Sequence, residues 1–149
     1  KAVSANGEKC DARILLDSGS TANFITENLC GKLRLSRNGT GSTITGIGNQ
    51  TSTSAQSCSL TIESNCGDYS VNIDCLILPE ITHLLPSAPI SLKQITIPVD
   101  ILVGVDVFWT IISANHIKLG KNQPRLCESR LGWLVSGSVS CNSRTSHSH

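Results

Sequence analysis

The sequence predicts a mainly β fold with one or two short helices, and three segments carry that prediction. Cys58, Leu60 and Ile62 alternate with Ser59 and Thr61, as on a strand with one buried face. Val71, Ile73 and Cys75 alternate with Asn72 and Asp74 within 69–78 in the same way. Ile101-Leu102-Val103-Gly104 is an unbroken apolar run ending in glycine, the pattern of a strand buried on both faces.

The remaining elements follow in chain order. Residues 10–16 read as a first strand whose apolar end, Ile14-Leu15-Leu16, runs directly into Asp17-Ser18-Gly19-Ser20. In the run 24–35, Ile25, Leu29 and Leu33 fall four apart, which predicts one face of a short helix with Thr26 and Glu27 suited to its start. Residues 42–47 and 57–63 read as the arms of a hairpin joined by a polar, glycine-bearing turn. Pro79, Pro86 and Pro89 mark a long connection. After the 101–104 strand, Asp106 is expected to cap a helix over 107–113, and 131–135 reads as a last strand before a polar tail. Trp109 and Trp133 are expected in the core, and His83, His116, His147 and His149 on the surface. No internal repeat appears.

Composition narrows the function. The 149 residues suit one domain, divided into an N-terminal segment 1–9, a folded unit 10–137 and a tail 138–149. Charged residues make up 15%, the formal net charge is +1 and hydrophobic residues make up 39%, which is neither the basic bias of a nucleic-acid binder nor the polarity of a disordered chain. Aromatics at 3% are too few for a base-stacking platform. The longest apolar stretch, 101–112, is too short to span a bilayer and is broken by Asp106. Neither nucleic acid nor membrane is an expected partner. Methionine is absent, and a chain opening on Lys1 with no signal peptide or anchor reads as a piece of something longer.

The seven cysteines are odd in number and contain no C-x-x-C pair, so a zinc site is not expected and no metal or other cofactor is assigned. Cys58, Cys66 and Cys75 would be the members of a disulfide framework if one existed; plain thiols are the simpler reading.

A hydrophobic strand that delivers one carboxylate into a tight glycine turn suits an acid tuned for proton transfer. The segment occurs once, so a reaction needing two such acids would take the second from an identical chain. Leu15-Leu16-Asp17-Ser18-Gly19, then Ile44-Thr45-Gly46-Ile47-Gly48, then Ile101-Leu102-Val103-Gly104 resemble, in order and spacing, the retropepsins, the homodimeric aspartic proteases of retroviruses and retrotransposons. Phe24-Ile25-Thr26, Gly104-Val105-Asp106 with Phe108-Trp109, and Leu131-Gly132-Trp133-Leu134-Val135-Ser136-Gly137 are similar to the protease region of BEL/Pao-type retrotransposon polyproteins. The resemblance covers roughly residues 10–137.

It implies a closed β-barrel, one half of an acid protease, completed as a homodimer that cleaves polyprotein peptide bonds without a cofactor, in the cytoplasm or inside virus-like particles. Asp17, Ser18 and Gly19 would form the catalytic turn. Ser20, Ile44, Gly46, Ile47, Gly48, Leu102 and Val103 would contact substrate, with the glycine-flanked Ile47 at the tip of a mobile flap. Ser20 is expected to donate to the Asp17 carboxylate, lowering the pair's first pKa and giving an acidic optimum. Two features depart from the retroviral pattern: Val105 and Thr21 stand where a dimer-tying arginine and acid are common, and the chain continues into the 131–135 strand. An inactive retropepsin-like dimerisation or binding module is the alternative from another class, and an extracellular disulfide-bonded β-sandwich is a third.

Overall fold

The computed structural model describes residues 1–45, 51–82, 98–121 and 123–137, with backbone alone for 42–45 and 51–55. Two sheets make up most of it. The larger has eight strands: β1 (Ala2–Val3), β2 (Lys9–Cys10), β3 (Ile14–Leu16), β4 (Asn23–Thr26), β5 (Asn38–Thr45), β6 (Thr51–Glu63), β7 (Ser70–Leu78) and β8 (Ile101–Val103). Their order is β2-β1-β6-β7-β4-β8-β3, with β5 also paired to β6. The sheet curls into a half-barrel. Among the described residues no ladder joins the two ends of this order, β2 and β3, which are linked along the chain by Asp11-Ala12-Arg13.

Ala2, Val3 and Lys9 of the N-terminal segment are strand residues of this sheet. Ala2 is fully buried between β2 and β6, pairing with Cys10 on one side and Ile62 on the other. The alternation read for 57–63 and 69–78 is realised as the β6–β7 ladder, with Cys58 opposite Cys75 and Leu60 opposite Ile73, all four buried.

The helix expected over 24–35 divides in two. Phe24 and Ile25 are in strand β4, parallel to β7 and antiparallel to β8, because an aromatic followed by a β-branched residue packs well on a pleated surface. Helix α1 (Glu27–Lys32) starts only after Thr26, whose hydroxyl accepts the Leu29 N–H at 3.3 Å as an N-cap. Ile25, Leu29 and Leu33 nevertheless reach one core, together with Ile62, Ile101, Val103 and Ile111. Each such side chain contributes about 1.5–3 kcal/mol by leaving water.

Helix α2 spans Val105–Ile111 and its N-cap is Gly104, so Asp106 lies in the first turn and makes no capping bond. The Val107 and Phe108 N–H groups go instead to the Gly104 carbonyl. Beyond α2 the chain forms the smaller sheet, β11-β10-β9, from β9 (Ile112–Lys118), β10 (Arg125–Ser129) and β11 (Gly132–Ser136). Trp109 and Trp133 are both exposed, at 67% and 54%, contrary to the expectation that they fill the core. α2 buries Ile111 and the small sheet is covered on one face only, so neither tryptophan has an interior to enter.

Cys10, Cys30, Cys58, Cys66, Cys75 and Cys127 are all free thiols, which removes the disulfide framework from 58, 66 and 75. Burial, with Cys30 beside it, pushes the Cys58 thiol up to about 12, and burial likewise raises Cys75. His116 is exposed as expected; His83, His147 and His149 lie outside the described residues.

Candidate active site

The strand order explains why Asp17 sits in a tight turn. β3 and β4 are consecutive in the chain, yet β8 lies between them, parallel to β3 and antiparallel to β4. The connection 17–22 therefore arches over the C-terminal end of β8. Leu16 pairs with Val103, and the next N–H, that of Asp17, donates to the Val103 carbonyl at 2.9 Å. On the far side the Val105 N–H donates to the Ser20 carbonyl at 2.8 Å, so the arch is tied to the β8–α2 chain at both feet.

Gly104 passes beneath the arch, where a Cβ would stand 2.6 Å from the Ala22 carbonyl oxygen and 2.8 Å from that of Ser20. Both obstacles are backbone, and they leave no room for any side chain. The glycine's own N–H donates to the Asn23 side-chain oxygen at 2.7 Å, while the Asn23 amide donates to the Asp74 carbonyl at 3.1 Å. A second clamp holds the other end of the strands. The Asp100 carboxylate accepts the Arg13 N–H at 2.9 Å, and its backbone carbonyl accepts the Thr26 N–H at 3.0 Å, tying β3, β8 and β4 where they are furthest from the turn.

Within the arch the Asp17 carboxylate accepts the Gly19 N–H at 2.9 Å, and the Asp17 carbonyl accepts the Ser20 N–H at 3.2 Å. A Cβ on Gly19 would lie 3.2 Å from the same carboxylate oxygen. Asp17 is half-buried, whereas Ser18 and Gly19 are exposed at the crest. The carboxylate thus has a fixed direction and an open side. Ser20 does not serve it as expected: the Ser20 hydroxyl donates to the Ala22 carbonyl at 2.7 Å, because that oxygen lies within reach inside the arch. The Asp17 carboxylate takes its hydrogen bond from the Gly19 backbone instead.

The residues expected to contact substrate separate in the same way. Leu15, Leu102 and Phe24 are directly opposite one another on β3, β8 and β4, and none belongs to the main core cluster. Val103 points the other way and is fully buried in that core, so it meets the site only through its carbonyl. The hairpin that would carry the flap is present as β5 and β6, paired out to Thr45 opposite Thr51. Gly46, Ile47 and Gly48 lie outside the described residues, as does the side chain of Ile44.

No family model, curated protein or solved structure matches the chain.

Asn23 and Asp100 were not singled out from sequence, although both support the turn. Asn23 carries a faint signal, a polar residue opening the otherwise apolar Phe24-Ile25; Asp100 carries none, since its contact to Arg13 spans 87 positions. Among the described residues no three His, Cys, Asp or Glu side chains gather as metal ligands. No described helix is long and apolar enough to cross a membrane.

Proposed function

We propose that this chain is one half of an aspartic endopeptidase, active as a homodimer of the retropepsin type. The observation that carries the reading is the Asp17 arch: one carboxylate held by the Gly19 N–H, on a turn bonded to Val103 and Val105 above a glycine that tolerates no side chain. So much fixed backbone around one half-buried acid suits a group whose position matters to a reaction.

Two Asp17 carboxylates meeting across a two-fold axis at about 3 Å cannot both ionise; they share one proton and titrate as a pair. The ionised member takes a proton from a bound water, which attacks the peptide carbonyl. The protonated member donates to the carbonyl oxygen, and protonation of the nitrogen releases the amine. Leu15, half-buried on the strand that leads to the acid, offers apolar surface suited to the side chains of an extended peptide, with the buried Leu102 opposite it on β8. A retrotransposon polyprotein as substrate, and the cytoplasm or a virus-like particle as the place, come from the sequence resemblance.

The test is cleavage of a mixed peptide library by the native chain and by Asp17→Asn. Cleavage confined to the native chain supports the reading; equal cleavage by both, or none by the native chain at any concentration, removes it in favour of an inactive module.

A further inference from the structure

We infer that the cationic cleft at the β9–β10 turn, with the apolar hollow beside it, binds a peptide segment carrying acidic residues next to apolar ones; taking that segment as part of the substrate rests on the reading of the chain as an endopeptidase. Lys118 of β9 and Arg125 of β10 are directly opposite each other, and Ser136 of β11 completes the row. Lys121, in the turn between the two strands, joins them around a cleft of about 540 Å³ that Gln123 and Ser136 also border. Like charges directly opposite on a ladder repel and weaken it. All three cations are exposed, and among the described residues no carboxylate pairs with any of them. Glu128, the sole acid of 112–137, lies on the other face of the sheet, where its carboxylate accepts the Asn115 amide at 2.6 Å. Residues 112–149 hold five cations and one acid, whereas residues 1–111 hold seven and ten. A charge asymmetry of this kind points to an anionic partner.

Charge and neighbourhood favour a polypeptide as the occupant. The next row on the same face is His116, Cys127 and Leu134. Cys127 and Leu134 border a hollow of about 350 Å³ with Ile14, Leu16 and Phe108, and Ser136 borders both this hollow and the cleft. One face therefore offers cations at one end and apolar surface at the other. A peptide supplies both matching kinds of side chain: carboxylates that accept from the two ammonium groups and the Arg125 fork, and aliphatic groups for the hollow. A nucleic acid supplies anions without aliphatic groups, and among the described residues no aromatic side chain borders the cleft to stack a base. Leu15 and Leu16 line the same hollow and run into Asp17, so a segment seated here lies along the strand that carries the acid.

Fluorescence anisotropy of a short labelled peptide, with leucines in one half and glutamates in the other, tests this on the 149-residue chain carrying Asp17→Asn, in low salt where exposed charges are least screened. Saturable binding is expected, weakened by about tenfold or more when glutamine replaces the glutamates or serine the leucines, and by as much in Lys118→Glu and in Lys121→Glu. Lys118→Glu sets unlike charges across the ladder from Arg125, so the sheet keeps its pairing. Lys32→Glu, the same change of charge in α1, should leave binding within about twofold. No binding, equal binding of the glutamine peptide, an equal loss in Lys32→Glu, or tighter binding of a single-stranded oligonucleotide at the same cations overturns the inference. Binding of the expected pattern by a chain whose native form cleaves no peptide counts against the protease reading alone. Cleavage of the mixed library by a native chain that does not bind the acidic peptide counts against the inference alone.

Discussion

The side-chain oxygen of Asn23 accepts the backbone N–H of Gly104 at 2.7 Å, joining the start of β4 to the turn that leaves β8. Eighty-one positions separate the two residues. The bond satisfies a part-buried donor that no strand partner could reach, because the arch occupies the space above it. Asn23→Ala strands that donor, at a cost of about 1–3 kcal/mol. Thermal unfolding should show a midpoint lowered by several degrees, and Asn23→Asp, which keeps the acceptor for Gly104 but loses the donor to the Asp74 carbonyl, should recover only part of it. An unchanged midpoint in Asn23→Ala would mean that the bond does not support the arch.

Gly104→Ala probes the same place by filling it. The added methyl would meet two carbonyl oxygens at 2.6 and 2.8 Å, so the arch or the end of β8 has to move. Forced repacking of this kind costs about 1–3 kcal/mol, and more where the obstacle is backbone. Both a lower unfolding midpoint and loss of peptide cleavage are expected. Gly31→Ala makes a fair control, since a Cβ there meets nothing and helix α1 gains a better helix former. Equal midpoints for the two variants would contradict the tight packing at Gly104.

The buried thiols make stability fall at alkaline pH. In the unfolded chain Cys58 and Cys75 ionise near the ordinary value of 9.0, whereas in the folded chain burial holds Cys58 up to about 12 and raises Cys75 as well. Between these limits the unfolded state has released protons that the folded state keeps, so unfolding becomes easier as pH rises. The unfolding midpoint should be level up to about pH 8.5 and decline beyond 9. Cys75→Val should flatten the decline. A midpoint independent of pH from 8 to 10.5 would show that these thiols titrate alike in both states.

Thiol accessibility gives a separate check on the core. Cys66 is exposed, while Cys30, Cys58 and Cys75 are 1% exposed. A thiol-specific reagent at neutral pH should label Cys66 quickly and those three only at the rate of unfolding, because a buried protonated thiol is a poor nucleophile. Rapid labelling of Cys58 under native conditions would contradict the packing between β6, β7 and α1.

What could be read from sequence was whatever buries a periodic face. β6 and β7 declare themselves by alternation, and β8 by its unbroken apolar run, because each packs against the core at regular intervals. β9 is not legible: Ile-Ser-Ala-Asn-His-Ile-Lys has no period of two, and from Ala114 onward its residues are exposed, so no burial enforces one. For Phe24 and Ile25 the spacing of Ile25, Leu29 and Leu33 suits a helix, and pairing with β7 and β8 outweighs it. At the site, Asp17 and Gly19 were legible as a carboxylate in a turn. Asn23, Asp100 and the actual partner of Ser20 were not, because they depend on β8 lying between β3 and β4, a fact of topology that no local pattern carries.

A subunit-mixing experiment addresses the shared acid pair most directly. Asp17→Asn chains are added in equal amount to native chains, allowed to exchange, and peptide cleavage is measured per native chain. If each reaction centre takes one Asp17 from either copy, random pairing leaves about half of the native chains with an intact mate, and activity per native chain falls to about half, declining further as the variant is increased. Activity per native chain that stays constant at every ratio would show that a single chain holds a complete centre.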